Sequence, residues 1–266
     1  MSQEIKVIQN AGINSDATQI ATQNNYIGIS PEQAAKIAID IFLDNFPKLQ
    51  EEAGRIAKER AEAFCNEMMH KLADDQNCDY SAFKDPDVQY ILNKAQNKYA
   101  RFGTDELLYC LTNLIVNRIK YNDDFQLKVL LDKSIDIVNV ISDDQLNYLT
   151  MILYCKHLYR SNIKTIYDLL GLFHEIDVLF PVKGNAVSYC GFLNSFNLLQ
   201  INLGNPEEFF ADNYKLSKEE VIKVMPDQFK KIPGDYGLSP LGRVIAIINY
   251  NAKASEQLDL KRFVGI

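Results

Sequence analysis

The chain has 266 residues, 47% of them apolar, a net charge of −7 and a pI near 5.1. That is ample apolar material for one large or two modest domains, and the acidic balance excludes a general electrostatic attraction for nucleic acid or anionic lipid. Five scattered cysteines set among apolar residues do not form a disulfide framework. No stretch approaches the roughly 18 apolar residues of a membrane span and no basic-then-apolar leader is present, so a cytoplasmic protein without stable membrane insertion is expected.

Residues 7–31, VIQNAGINSDATQIATQNNYIGISP, are rich in Asn, Gln, Ile, Ala and Thr and carry one charge, Asp16. Weak alternation through Val7, Ile13, Ile20, Tyr26 and Ile27, broken by the turn formers Asn10 to Gly12, Asn14 to Asp16 and Asn24-Asn25, predicts two or three short strands. Polar hairpins of this size are marginal alone and need either the protein body or copies of themselves to pair with. Asn and Gln ladders form when identical strands stack, and low charge removes the repulsion that would oppose them. A disordered tail and docking on the chain's own body are the alternatives. Residues 1–29 are therefore expected to be a β-forming oligomerisation segment with Val7, Ile13, Ile20, Tyr26 and Ile27 as its contact residues.

From Ser30 the pattern becomes helical. Ser30-Pro31 followed by Gln33 reads as an N-cap, a proline at the first helical position and a capping-box acceptor. The helix meets Pro47, where a break or kink near Asp44–Phe46 is expected. It then continues with Ile56, Phe64, Met68 and Leu72 as a core stripe and Glu51, Glu52, Lys58, Glu59, Arg60 and Glu62 as a solvated face. Capped helices are predicted to open at Asp85-Pro86, Thr104, Asp123 or Asp124, and Ser142. Short connections between them suit an antiparallel helical array over residues 30–160.

Past residue 160 the order is helix, helix, strand (Leu198–Asn202), an insertion with Pro206, Pro226 and Pro233, strand (Asp235–Leu238), and a helix capped by Ser239-Pro240. This is a winged-helix-like pattern over residues 161–266 with a long wing insertion. DNA binding is disfavoured. The helix in the recognition position lies in a stretch from Gly184 to Pro206 without one Lys, Arg, Asp or Glu, and a groove reader needs cations for phosphates and base edges. The fold class is mainly α: a helical array preceded by short N-terminal strands and followed by the winged-helix-like part.

Three runs, Ala11-Gly12-Ile13-Asn14-Ser15, Thr18-Gln19-Ile20-Ala21 and Asn24-Asn25-Tyr26-Ile27-Gly28, carry a resemblance. They resemble a Gly/Asn/Gln-rich element that precedes the effector or helical domain in bacterial conflict-system proteins. The glycine expected near Thr22 in such elements is absent here. The helices that follow, including Tyr80–Arg101 and Tyr236–Ala246, resemble an uncharacterised bacterial family of that architecture. The run Y-G-L-S-P-L-G-R-V-I-A at Tyr236–Ala246 also resembles the closing segment of abortive-infection proteins of the alpha type. The resemblance implies an anti-phage defence setting and supplies no catalytic residues.

A search for chemistry finds only fragments. Glu67 and His70 have the Glu-x-x-His spacing of a di-iron ligand pair, but no second copy exists. Cys155 and His157 lack a matching second half for zinc. His174, Glu175 and Asp177 are acid–base groups set between apolar runs, where a salt-linked histidine is the commoner outcome. No metal, cofactor or catalytic residue is assigned. The expected function is a non-enzymatic self-assembling interaction protein whose partners are itself and proteins with a similar N-terminal motif. The alternative is a defence effector enzyme or toxin with a dispersed active site activated by assembly.

Overall fold

A computed structural model describes the backbone of residues 31–74, 82–83, 85–202 and 204–264, and the side chains of 50–73, 82–83, 85–202 and 204–264. The segment holding Val7, Ile13, Ile20, Tyr26 and Ile27 lies outside the described residues. The architecture is mainly α, with twelve α-helices and a two-stranded sheet among the described residues. The chain divides at Ile56–Ala57 into two compact units.

Helix α1 (Pro31–Asp74) begins at the proline expected at its first position. It continues through Pro47, so the break that the sequence allows near Asp44–Phe46 does not occur. A mid-helix proline removes one backbone donor and crowds the carbonyl four residues back, a local cost that a long helix can carry. Phe64, Met68 and Leu72 are buried as the stripe predicts, whereas Ile56 is only half-buried. Arg60 departs from the solvated face. Its guanidinium donates to the carbonyls of Ala100 (3.0 Å) and Arg101 (3.2 Å), the unpaired end of the next helix.

That next helix, α2 (Pro86–Phe102), starts with Asp85 accepting from the Asp87 N–H and stops at Gly103 in the left-handed region, φ 66°. Helix α3 (Asp105–Lys120) is capped by Thr104, α4 (Phe125–Ile137) by Asp124, and α5 (Asp143–Lys156) by a Ser142–Gln145 capping box. Helix α6 (Ile166–Leu179) opens on a Thr165–Asp168 box and α7 (Ala186–Ser195) on Asn185. Each of these starts is a short side-chain oxygen satisfying an orphan amide, which is why the helix boundaries follow the sequence closely.

Strands β1 (Leu199–Ile201) and β2 (Tyr236–Leu238) form where the sequence predicts them and pair antiparallel, Gln200 opposite Gly237. The insertion between them carries three helices, α8 (Pro206–Tyr214), α9 (Lys218–Val224) and α10 (Asp227–Lys230). Ser239 then caps α11 (Pro240–Lys253), with Pro240 at its first position, and α12 (Leu260–Val264) follows. Gly242 in the first turn of α11 lies against the Leu198 carbonyl, and a Cβ there would run into that oxygen. This close approach fixes the second of the two glycines in the Tyr236–Ala246 run.

Helix α11 is the centre of the unit formed by residues 57–266. Leu241 to Tyr250 is buried except for Arg243, and the helix packs on α3, α4 and, most extensively, α5. Helix α5 is likewise buried from Leu146 to Cys155. Burying both helices nearly all round is possible because their sequences are apolar on every face, LNYLTMILYC and LGRVIAIINY.

Candidate functional site

The residues that sequence reasoning weighs for chemistry do not converge. Glu67 pairs with Lys71 at 3.4 Å, and His70 is exposed. Cys155 is fully buried, and burial pushes its thiol well above the usual range, so it is an inert apolar filler rather than a ligand. Imidazole Nε2 of His157 accepts from the Leu238 N–H at 3.3 Å, which ties α5 to β2. Burial, with Arg243 and Lys156 nearby, pushes the His157 pKa down to about 4, so at neutral pH it is an uncharged acceptor. His174 is exposed, Glu175 clamps Arg160, and Asp177 accepts from Gln228 at 2.7 Å. Among the described residues no three His, Cys, Asp or Glu side chains are grouped to hold a metal ion.

Among the described residues four hydrogen-bonded networks form instead, mostly from polar groups outside those candidates. Arg118, only 1% exposed, donates to Asp132 (2.7 Å), Asp87 (2.6 Å) and Asn122 (2.6 Å), joining α2, α3 and α4. Arg160 makes a two-point contact with Glu175 (2.9 and 3.1 Å) and also donates to the hydroxyls of Tyr154 (3.2 Å) and Tyr250 (3.0 Å). Asn249 on α11 donates to Thr150 and Asn147 on α5, and Lys253 donates to the same Asn147 oxygen at 2.8 Å. Lys156 donates to the carbonyls of Gly204 and Gly234, the two ends of the helical insertion, and burial lowers its pKa. The carboxylate of Asp144 adds a fifth tie by accepting from the Gly184 and Lys183 amides and the Tyr189 hydroxyl. Burial opposes its charge, but those donors outweigh burial and hold its pKa below the usual carboxylate range.

These networks tie elements together, and apart from the buried Nε of Arg160 their main donors and acceptors are spent on one another. A lone cation inside an apolar helical run is the sequence signal for them: Arg118 follows Leu111, Leu114 and Ile115 at helical spacing.

Two surfaces look outward. The first is α7 and β1. In the stretch without charged residues, Val187 is 71% exposed, Phe192 is partly exposed, and Ile201 on β1 is 81% exposed. The bonds Asn202 N–H to Asp235 carbonyl and Ser239 N–H to Leu198 carbonyl set the register, with residues 198, 200 and 202 turned toward β2. The backbone groups of Leu199 and Ile201 therefore face the outer edge of β1. The equivalent edge of β2 is met by His157 through Leu238.

The second surface is the outer face of α6. Its inner residues Leu169, Leu172, Phe173 and Ile176 are buried, yet Tyr167, Leu170 and Val178 on the opposite side are exposed. A shallow depression at the α3–α4 turn, lined by Tyr121, Phe125 and Lys261, is spanned by the Lys261–Asp124 ion pair and offers no enclosed space.

An uncharacterised family has a sequence model that matches residues 28–232, and the chain belongs to that family. No curated protein and no solved structure matches the chain significantly. Among the described residues no helix is long and apolar enough to cross a membrane.

Proposed function

We propose that the chain is a non-enzymatic, self-assembling interaction protein that oligomerises through residues 5–29 and serves in bacterial defence against phage. The observation that carries the interaction reading is the α7–β1 surface: uncharged, with Val187 and Ile201 exposed and the outer edge of β1 reachable at Ile201, Leu199 being buried. An exposed apolar patch of this kind is a surface that pairs with another chain. The charge-poor tract at the N-terminus has the composition to meet it or to stack on copies of itself.

The helix–helix–strand–insertion–strand–helix order from Ile166 to Lys253 is taken as a winged-helix-like scaffold used for packing and partner contact. Nucleic acid is not its partner on this reading, because α7, in the recognition position, has no cation to offer a phosphate. The cytoplasm is the proposed compartment, where the buried cysteines stay reduced thiols.

The test is the Ile20→Lys variant of the full chain. A charge set into stacked strands dissolves the oligomer and leaves the helical circular dichroism unchanged. If Ile20→Lys instead unfolds the protein, the tract belongs to the core and the reading fails.

A further inference from the structure

Helix α6 is apolar on both sides, and only one side has a partner among the described residues. Tyr167, Leu170, Gly171, His174 and Val178 fall at the spacing i, i+3, i+4, i+7 and i+11, a single stripe along three turns. Tyr167 is 81%, Leu170 48% and Val178 63% exposed. A helix apolar all round is ordinarily covered on all sides.

Gly171 sits in the middle of the stripe. Mid-helix glycine costs roughly 1 kcal/mol relative to alanine, and among the described residues no heavy atom lies within 4 Å of where its Cβ would be. No contact among those residues calls for a glycine there. A second helix crossing the stripe would use it, because the missing side chain lets backbones approach closely.

The charges at the edges select the occupant. Helix α6 contains Asp168, Glu175 and Asp177 and no Lys or Arg. Glu175 is taken by Arg160, while Asp168 and Asp177 are exposed. Amides of Lys164 and Thr165 and the Thr165 hydroxyl hold the Asp168 carboxyl below the usual range, so it stays anionic. A second copy of α6 laid on this stripe would set acid edge against acid edge, and an anionic bilayer would be repelled in the same way. A partner with lysine or arginine beside its apolar stripe meets both requirements.

We propose that the outer face of α6 is a docking surface for a basic amphipathic helix of another protein. The partner's apolar side chains lie over Leu170, Gly171 and Val178, and its cations reach Asp168 and Asp177. The inference goes beyond the assembly reading and does not depend on it, since residues 5–29 take no part.

The test is a fluorescence anisotropy titration of the full chain with two labelled helical peptides about 14 residues long, the length of α6. Both carry the same leucine stripe, one with lysine on the remaining positions and one with glutamate. The lysine peptide is expected to bind, to weaken several-fold at high salt, and to lose about tenfold in affinity to Leu170→Lys or Val178→Lys. Both substitutions sit on exposed positions and leave the fold intact, which circular dichroism checks. Phe125→Lys on α4, equally exposed but away from α6, is expected to leave binding unchanged. Equal binding of the two peptides, no binding of either, or an equal loss in Phe125→Lys overturns the proposal.

Discussion

Helices α11 and α6 have the same length and similar apolar content, yet they meet opposite surroundings. Around α11, helices α3, α4 and α5 close over every face, and its polar residues Asn249 and Tyr250 find partners on α5 and in Arg160. Helix α6 buries Leu169, Leu172, Phe173 and Ile176 and leaves Tyr167 and Val178 to solvent. Apolar composition alone therefore does not separate a helix that holds the protein together from one that presents a surface. Part of the separation lies in what the remaining polar groups do. On α11 Asn249 and Tyr250 are absorbed into buried networks, whereas on α6 only Glu175 joins one, through Arg160, and Asp168 and Asp177 stay exposed beside the stripe while bonded to Thr165 and Gln228.

From that contrast, changes in the inner region are expected to cost stability and changes on the outer stripe are not. Among the largest losses is that expected for Arg118→Met, which strips the part-exposed Asp132 and Asp87 of their shared guanidinium and costs about 3 kcal/mol in chemical denaturation. Ile247→Ala on α11, at a fully buried position, is expected to cost about 3 kcal/mol by the same measurement. A similar figure applies to acid. The folded His157 pKa, about 4, lies below its ordinary value of 6.5, so the unfolded chain binds the extra proton between those values. The contribution is complete above pH 6.5 and is lost as pH falls to 4, an amount of about 3 kcal/mol. A His157→Gln variant should show a flatter dependence of thermal midpoint on pH over that window. Smallest of all, Val178→Lys should move stability by no more than about 0.5 kcal/mol. A loss of several kcal/mol in Val178→Lys would mean that α6 is covered after all and would break the comparison.

Much of the scaffold is legible in the amino-acid sequence. Asp85, Thr104, Asp124, Ser142 and Ser239 each precede a helix that starts where their side-chain oxygen can accept an amide, because capping is a local interaction written in neighbouring residues. Both strands of the sheet also fall within a residue of their predicted bounds. What escapes is non-local. Arg60 reads as one more charge on a solvated face until the end of α2 is brought beside it. Lys156 clamps two glycine carbonyls that lie about 50 and 80 residues away in the chain, a relation that no local pattern encodes. The same applies to His157, whose partner is the Leu238 amide on a distant strand. The outer stripe of α6 is present in the sequence as Tyr167, Leu170 and Val178, but the equally apolar inner face at Leu169, Leu172 and Phe173 conceals which side is covered.

Self-assembly through the N-terminal tract is the central claim, and solution mass tests it most directly. Light scattering on the full chain, beside a chain starting at Ser30, is expected to give a large assembly for the first and a folded monomer for the second. Equal masses for the two would contradict the account and remove residues 5–29 from any role in oligomerisation.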